Sequence, residues 1–354
     1  MYRKLWRAWI LPWGVLARCL VCDGYMREVV MLTNIIEHDD DLINRFEEGI
    51  DPLYPERSKI PARVLGYGGM STVLTINEGN PDLVYKRMPM FKCKEELRSY
   101  LRVYEIYQEQ LATAGIHAVP AAITSYCPPT GGVVVYIIQE KLDSDSLVNK
   151  AIQTLSRAEV ECLFGAVLDN IGRVHAYKQA NAGTIELGFD AQMSNWAIAG
   201  YEPRRPALPD PLELIYLDTS SPLLRWRCEE QLNPELFLRC APSFLRWIIR
   251  LLFLDGMMNR YYDIRQVVMD VLANLYKEKR EDVIPNLITM ANTFLAEELG
   301  EAFSQRLDAD EVAGYYREDA QIWRFYLTSR RVDRRLHRLL GKPYPYVLPG
   351  HIDR

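Results

Sequence analysis

Residues 63–76 read RVLGYGGMSTVLTI, three glycines inside a β-favouring run. Glycine has no Cβ, so such a run makes either a tight hairpin or a loop whose backbone N–H groups can approach a phosphate. The residues immediately C-terminal to it narrow the choice. A dinucleotide-binding glycine loop leads straight into a helix. Here NEGNPD (77–82) reads as a turn and LVYKRMP (83–89) as a second strand. The stretch therefore reads as a β-hairpin flap, and its meaning depends on the residues beyond it.

The first of these is Lys86, on the following strand. A lysine there can reach phosphate oxygens as a point charge, provided a carboxylate orients it. The next segment, KEELRSYLRVYEIYQEQLATAG (94–115), has helical spacing, with Leu97, Leu101, Tyr104 and Leu111 near one face and Gly115 as its stop. It offers Glu105 as the first choice, with Glu96 and Glu109 as alternatives. Two more strands are expected at AAITSY (121–126) and GGVVVYIIQEKL (131–142). After Leu142 the character changes to helix at RAEVECLFGAVLDNIGRVHAYKQA (157–180). A short β-rich patch, 187–218, then carries Asp190 and Asn195 five positions apart and ends with Asp218 at a strand end. A carboxylate there can take a hydroxyl proton. An amide oxygen and a second carboxylate suit Mg²⁺, which prefers oxygen ligands. Singly, each is also an ordinary turn-forming residue. From 234 to 340 nearly everything reads as helix.

Composition sets the outer limits. The chain has 354 residues, 49% hydrophobic and 25% charged, with a net charge of −5, which excludes a general nucleic-acid binder. Seven cysteines, an odd number scattered along a long chain, argue against a disulfide framework and for a reducing, cytoplasmic setting. Cys19 and Cys22 form a C-x-x-C pair that nothing completes into a zinc site. The N-terminal LWRAWILPWGVLARCLV (5–21) is apolar and basic. Its charge-free run from Ala8 to Ala17 is too short for a transmembrane helix, so a peripheral helix or an over-long start is expected, with a weak interfacial membrane or protein contact as the alternative.

In order, glycine hairpin, strand lysine, helix glutamate, Asp-x-x-x-x-Asn loop and strand-end Asp resemble the protein kinase-like superfamily. The pattern is closest to the aminoglycoside and choline phosphotransferase-like members, over roughly residues 60–280. The resemblance implies an α+β, two-lobe fold: an N-terminal helical extension (1–50), a small β-rich N-lobe (51–142) and a large helical C-lobe (143–354). It implies that Gly66, Gly68 and Ser71 cover the phosphates of ATP and that Lys86, held by Glu105, binds them. Glu140 C=O and Leu142 N–H would meet the adenine, Asn195 and Asp218 would hold Mg²⁺, and Asp190 would orient an acceptor hydroxyl.

The expected activity is transfer of the γ-phosphoryl group to a small hydroxylated acceptor. An inactive kinase-fold nucleotide-binding or scaffold protein is the alternative, and protein phosphorylation or nucleotidyl transfer a second. Three departures stand against the pattern. Gly188-Phe189-Asp190 lacks the family histidine, Asp218-Thr219-Ser220 lacks the glycine of the metal-binding turn, and no Ala-Pro-Glu segment comes after it. His175 reads as a structural residue. Trp196, Tyr216 and the 200–211 loop are expected to help line the site. The basic run Arg330, Arg331, Arg334, Arg335 and Arg338 reads as a solvated helix face, with Trp323, Tyr326, Leu336 and Leu339 packing down. An anion-binding patch is its alternative.

Overall fold

The glycine-containing stretch folds as two antiparallel strands, β1 (Ala62–Tyr67) and β2 (Thr72–Ile76), closed by Gly68 N–H donating to Ser71 C=O at 2.8 Å. A bulge between Val64 and Gly66 bends β1 just before the tip. β3 (Leu83–Phe91) comes next, then a long helix at Lys94–Thr113, β4 (Ala121–Tyr126) and β5 (Val133–Glu140). The strands form a five-stranded antiparallel sheet in the order β1-β2-β3-β5-β4. The computed structural model describes residues 36–350 apart from 203–206 and 253.

Both faces of this sheet are covered, which is why β5 reads VVVYIIQE with no polar alternation. One face packs on helix α1 (Asp40–Glu47), where Leu42, Ile43 and Phe46 meet Leu74, Tyr85, Tyr136 and Ile138. Asp39 caps α1 by accepting from Leu42 N–H at 3.1 Å, and Asp40 and Asp41 complement its N-terminal dipole. The other face packs on the long helix, α2 (Lys94–Thr113), with Leu97, Tyr100 and Tyr104 against Met88, Val135 and Ile137. Of the helical extension expected over 1–50, the described part is α1. The C-x-x-C pair and the apolar 5–21 segment lie outside the described residues. Among the described residues, no helix is long and apolar enough to cross a membrane.

The rest of the chain is mostly helical. α3 (Val148–Ala151) leads to α4 (Arg157–Ala180), which opens with a reciprocal capping box between Ser156 and Glu159. Two small sheets come next, β6 (Ile185–Leu187) with β9 (Leu224–Trp226) and β10 (Glu229–Glu230), and β7 (Trp196–Ile198) with β8 (Leu214–Tyr216). Then come α5 (Glu235–Cys240), α6 (Arg246–Leu252), α7 (Leu254–Asn259), α8 (Ile264–Lys277), α9 (Ile284–Leu299) and α10 (Ala309–Leu339). One large core joins α4, α8 and α9 through Leu163, Val167, Val268, Leu272 and Leu287. The molecule is thus mixed α+β, a small antiparallel sheet followed by a helical lobe.

Two ion pairs, one buried and one partly buried, bind these parts. In the sheet, Arg87 donates to both oxygens of Glu47 on α1 at 2.6 and 3.0 Å, and Tyr136 O–H donates to the same carboxylate. The third nitrogen of Arg87 donates to Pro345 C=O at 2.5 Å. Burial works against the arginine charge, but Glu47 and Tyr136 outweigh it and hold the pKa above the ordinary arginine value. Further on, Arg239 on α5 pairs with Glu96 on α2 at 2.5 and 2.7 Å, and Tyr346 O–H donates to Arg239 C=O. Residues 345 and 346 therefore fold back onto the sheet and α5.

The C-terminal helix departs from expectation. Tyr326 packs inward and donates to Cys240 C=O, and Arg330 is buried between Tyr326 and Tyr346. Leu336 and Leu339 are exposed rather than packed down. Arg330 belongs to the core side of α10 and not to a solvated basic face.

Candidate active site

Lys86 is buried on β3, opposite Ile137 of β5. Its Nζ donates to Leu217 C=O at 2.6 Å and lies 3.9 Å from Asp218 Oδ1, 132 positions along the chain. Burial lowers its pKa and the Asp218 charge partly restores it. Asp218 Oδ1 also accepts from Ser220 Oγ at 2.6 Å. The β7–β8 ladder, with Trp196 opposite Tyr216, continues as Leu217 N–H donates to Asn195 C=O at 2.8 Å. That register sets Asn195 beside the Asp218 turn. Asn195 Nδ2 in turn donates to Asp190 C=O at 3.1 Å, so the Asp190–Asn195 loop is closed on itself.

The hairpin tip comes down onto the same turn. Met70 is buried with Met88, Tyr100 and Leu236, and its sulfur accepts from Ser221 Oγ at 3.7 Å. Met70 thereby ties the hairpin tip to the 218–221 turn. At Gly68 an added Cβ would lie 3.0 Å from Ser71 Oγ, so glycine keeps this tip tight. Glu140 ends β5 exposed, and Leu142 just beyond it is half-buried. The Leu142 N–H has no backbone acceptor among the described residues.

Glu105 is not brought to Lys86. It is half-buried on α2 beside Glu109 and Arg102, where burial and then Glu109 raise its pKa, and it makes no ion pair with the lysine. Glu96 is taken by Arg239. The face of α2 turned to the site carries tyrosines instead. Tyr100 O–H donates to Ser220 C=O at 2.9 Å, Tyr104 O–H lies 3.3 Å from Thr219 Oγ1, and Tyr107 O–H donates to Gly188 C=O at 3.0 Å. Helix α2, the 218–221 turn and the Asp190 loop are tied together by phenols.

Asp190 sits in an acidic neighbourhood. Burial, then the charges of Asp270 and Asp218, push its carboxyl up to about 7, against the opposing pull of Arg260 and the Gln192 N–H. Asp270, on α8, accepts from Gln192 Nε2 at 2.8 Å and Tyr315 O–H at 3.0 Å. This second layer escapes motif reading. Its one sequence signal is an acid inside the apolar QVVMDVLANL run (266–275) of α8. Trp196 and Tyr216 do not line the site; both are fully buried and pack against Phe189, supporting the loop from behind. His175 is half-buried on α4, within reach of Gln179, and burial lowers its pKa.

This geometry makes two expectations measurable. In the unfolded chain Asp190 ionises near its ordinary 3.8, while the folded chain keeps the proton to about pH 7. Between those values the folded state binds more protons, so stability falls as pH rises through the window. Denaturant unfolding across it should show a shallower loss for Asp190→Asn than for wild type; parallel curves would remove Asp190 as the source. Second, a Cβ on Gly188 would lie 2.7 Å from Leu223 Cβ and 3.0 Å from the Tyr262 ring. Gly188→Ala is therefore expected to cost about 1–3 kcal/mol, read as a lower urea midpoint. An unchanged midpoint would mean that the loop has room.

Comparison with curated protein sequences finds no match. Among solved structures the chain is similar to "WaaP in complex with acyl carrier protein", at 13% identity and a TM-score of 0.28, over 64% of this chain and 89% of that one. A family model described as "Family of unknown function (DUF6206)" matches residues 55–334. The chain belongs to this DUF6206 family.

Proposed function

We propose that the protein is an ATP-dependent, kinase-like phosphotransferase that moves a γ-phosphoryl group to a hydroxyl of a small molecule. The observation that carries this reading is the ion pair of Lys86 and Asp218, with a glycine hairpin tied to the same turn and Asp190 and Asn195 beside it. The residues present suit the cofactors. Asn195 and Asp218 offer two oxygen donors, too few to cage a metal but enough for Mg²⁺, which keeps its other positions for phosphate and water. Among the described residues there is no group of three or more His, Cys, Asp or Glu that could hold a metal alone. When bound, Mg²⁺ neutralises phosphate charge.

The chain's own groups divide the rest of the work. Lys86 adds a fixed positive charge whose position is set by Leu217 C=O. The glycine hairpin of 66–71 covers the phosphates, and Glu140 C=O and Leu142 N–H take the adenine edge. Asp190 orients the acceptor hydroxyl and takes its proton late, at Oδ1 or Oδ2. Positioning and charge neutralisation supply most of the acceleration.

A second reading has its own support. The absence of a glutamate at Lys86, with Tyr104 on the helix face instead, favours a nucleotide-binding protein without transfer activity. Calorimetric titration with ATP, with and without Mg²⁺, separates the readings when paired with acceptor screening. Saturable, Mg²⁺-dependent binding should be lost in a Lys86→Ala, Asp218→Ala protein that still melts cooperatively. Binding without transfer to any acceptor favours the second reading, and no binding removes both. Product mass distinguishes phosphoryl from nucleotidyl transfer, and a protein acceptor from a small one.

A further inference from the structure

α10 packs on the helical lobe through Val312, and further along it Ala320 and Leu327 are also buried. Its outer face carries an apolar stripe among exposed polar residues such as Gln321 and Thr328. Phe325, Val332 and Leu339 recur every seventh residue and are exposed, Phe325 to 62% and Leu339 to 82%. Ile322, Leu336 and Leu340, also exposed, widen the stripe. Directly before Phe325 and Leu339 stand the exposed Arg324 and Arg338, with the exposed Arg317 one heptad before Arg324, whereas Arg331, before Val332, is half-buried and donates to Pro349 and Gly350 C=O. One residue is a 100° step round a helix, so Arg317, Arg324 and Arg338 form a row along one edge of the apolar stripe. On the opposite edge Ser243, next in sequence to the exposed Phe244, donates to Asp333 at 2.6 Å. Between 317 and 342 there are eight Lys and Arg against three Asp and Glu, in a chain of net charge −5.

We infer that this face docks on an anionic lipid surface. An apolar stripe edged by arginines is what the headgroup boundary accepts: side chains enter the acyl edge while guanidinium groups meet lipid phosphates. A second copy fits less well. Among the described residues from 317 to 342, Glu318 is the one exposed acid, so a partner α10 has little to answer the arginine row. The inference does not rest on phosphoryl transfer.

The test is cosedimentation of the full chain with vesicles of phosphatidylcholine alone, or with about a third phosphatidylglycerol. Wild type should bind the anionic vesicles and let go as salt rises. Arg335→Glu with Arg338→Glu should lower the partition coefficient at least about tenfold, as should Phe325→Ser with Leu339→Ser. Both changes lie on exposed positions, so thermal melts should match wild type. Residues 1–35 are common to all three proteins and cancel. No vesicle binding by wild type overturns the inference, as does undiminished binding by both variants. So does a dimer in sedimentation velocity that Phe325→Ser with Leu339→Ser dissolves without any vesicle binding.

Discussion

Glu47→Ala is expected to lower the unfolding free energy by about 3–5 kcal/mol, the usual cost of leaving one member of a buried ion pair alone. Glu47 and Arg87 side chains are each 3% exposed, and Tyr136 points its hydroxyl at the same carboxylate. Alanine would strand a guanidinium with Pro345 C=O as its remaining acceptor, and a buried phenol with none. Water cannot easily replace the lost oxygens between α1 and the sheet. Urea unfolding of the single variant gives the number. A double variant, Glu47→Leu with Arg87→Met, should recover much of the loss, because the charges leave together and similar volume remains. A single-variant loss under about 1 kcal/mol would show that the pair is open to solvent.

Asp190→Ala is expected to reduce phosphoryl transfer by about 10²–10⁴-fold while nucleotide affinity stays within a few-fold of wild type. In the proposed arrangement the carboxylate would face the acceptor, whereas Lys86 and the Asp218 turn would meet the phosphate charge. Removing Asp190 also removes a like charge from beside Asp218 and Asp270, so the variant should be at least as stable as wild type above pH 7. Initial rates with radiolabelled ATP, set beside calorimetric affinities, check both halves. Unchanged transfer would take Asp190 out of this role.

The architecture is legible where local patterns are strong. The hairpin, the long α2 periodicity and the all-apolar β5 give the sheet lobe, and the loss of β signals after 142 marks the change to helix. Lys86 and Asp218 are 132 positions apart in sequence and 3.9 Å apart in space, and Asn195 is tied to Leu217 and Asp190 by hydrogen bonds. Glu105 fails by phase. The spacing that puts Tyr104 on the buried face of α2 turns Glu105 about 100° away from it. Nothing local says that phenols would tie this helix to the 218–221 turn, because those contacts depend on tertiary packing. Leu336 and Leu339 mislead for a related reason: apolar spacing marks a stripe without saying which face of α10 meets the core.

The Arg87–Pro345 contact bears on how the molecule is made. Arg87 is translated 258 residues before the carbonyl that completes its shell, a gap of roughly 13–50 s at ordinary elongation rates. Throughout that interval a nascent sheet lobe carries a guanidinium lacking one acceptor. Its final consolidation is therefore a late event, coupled to the arrival of residues 345 and 346.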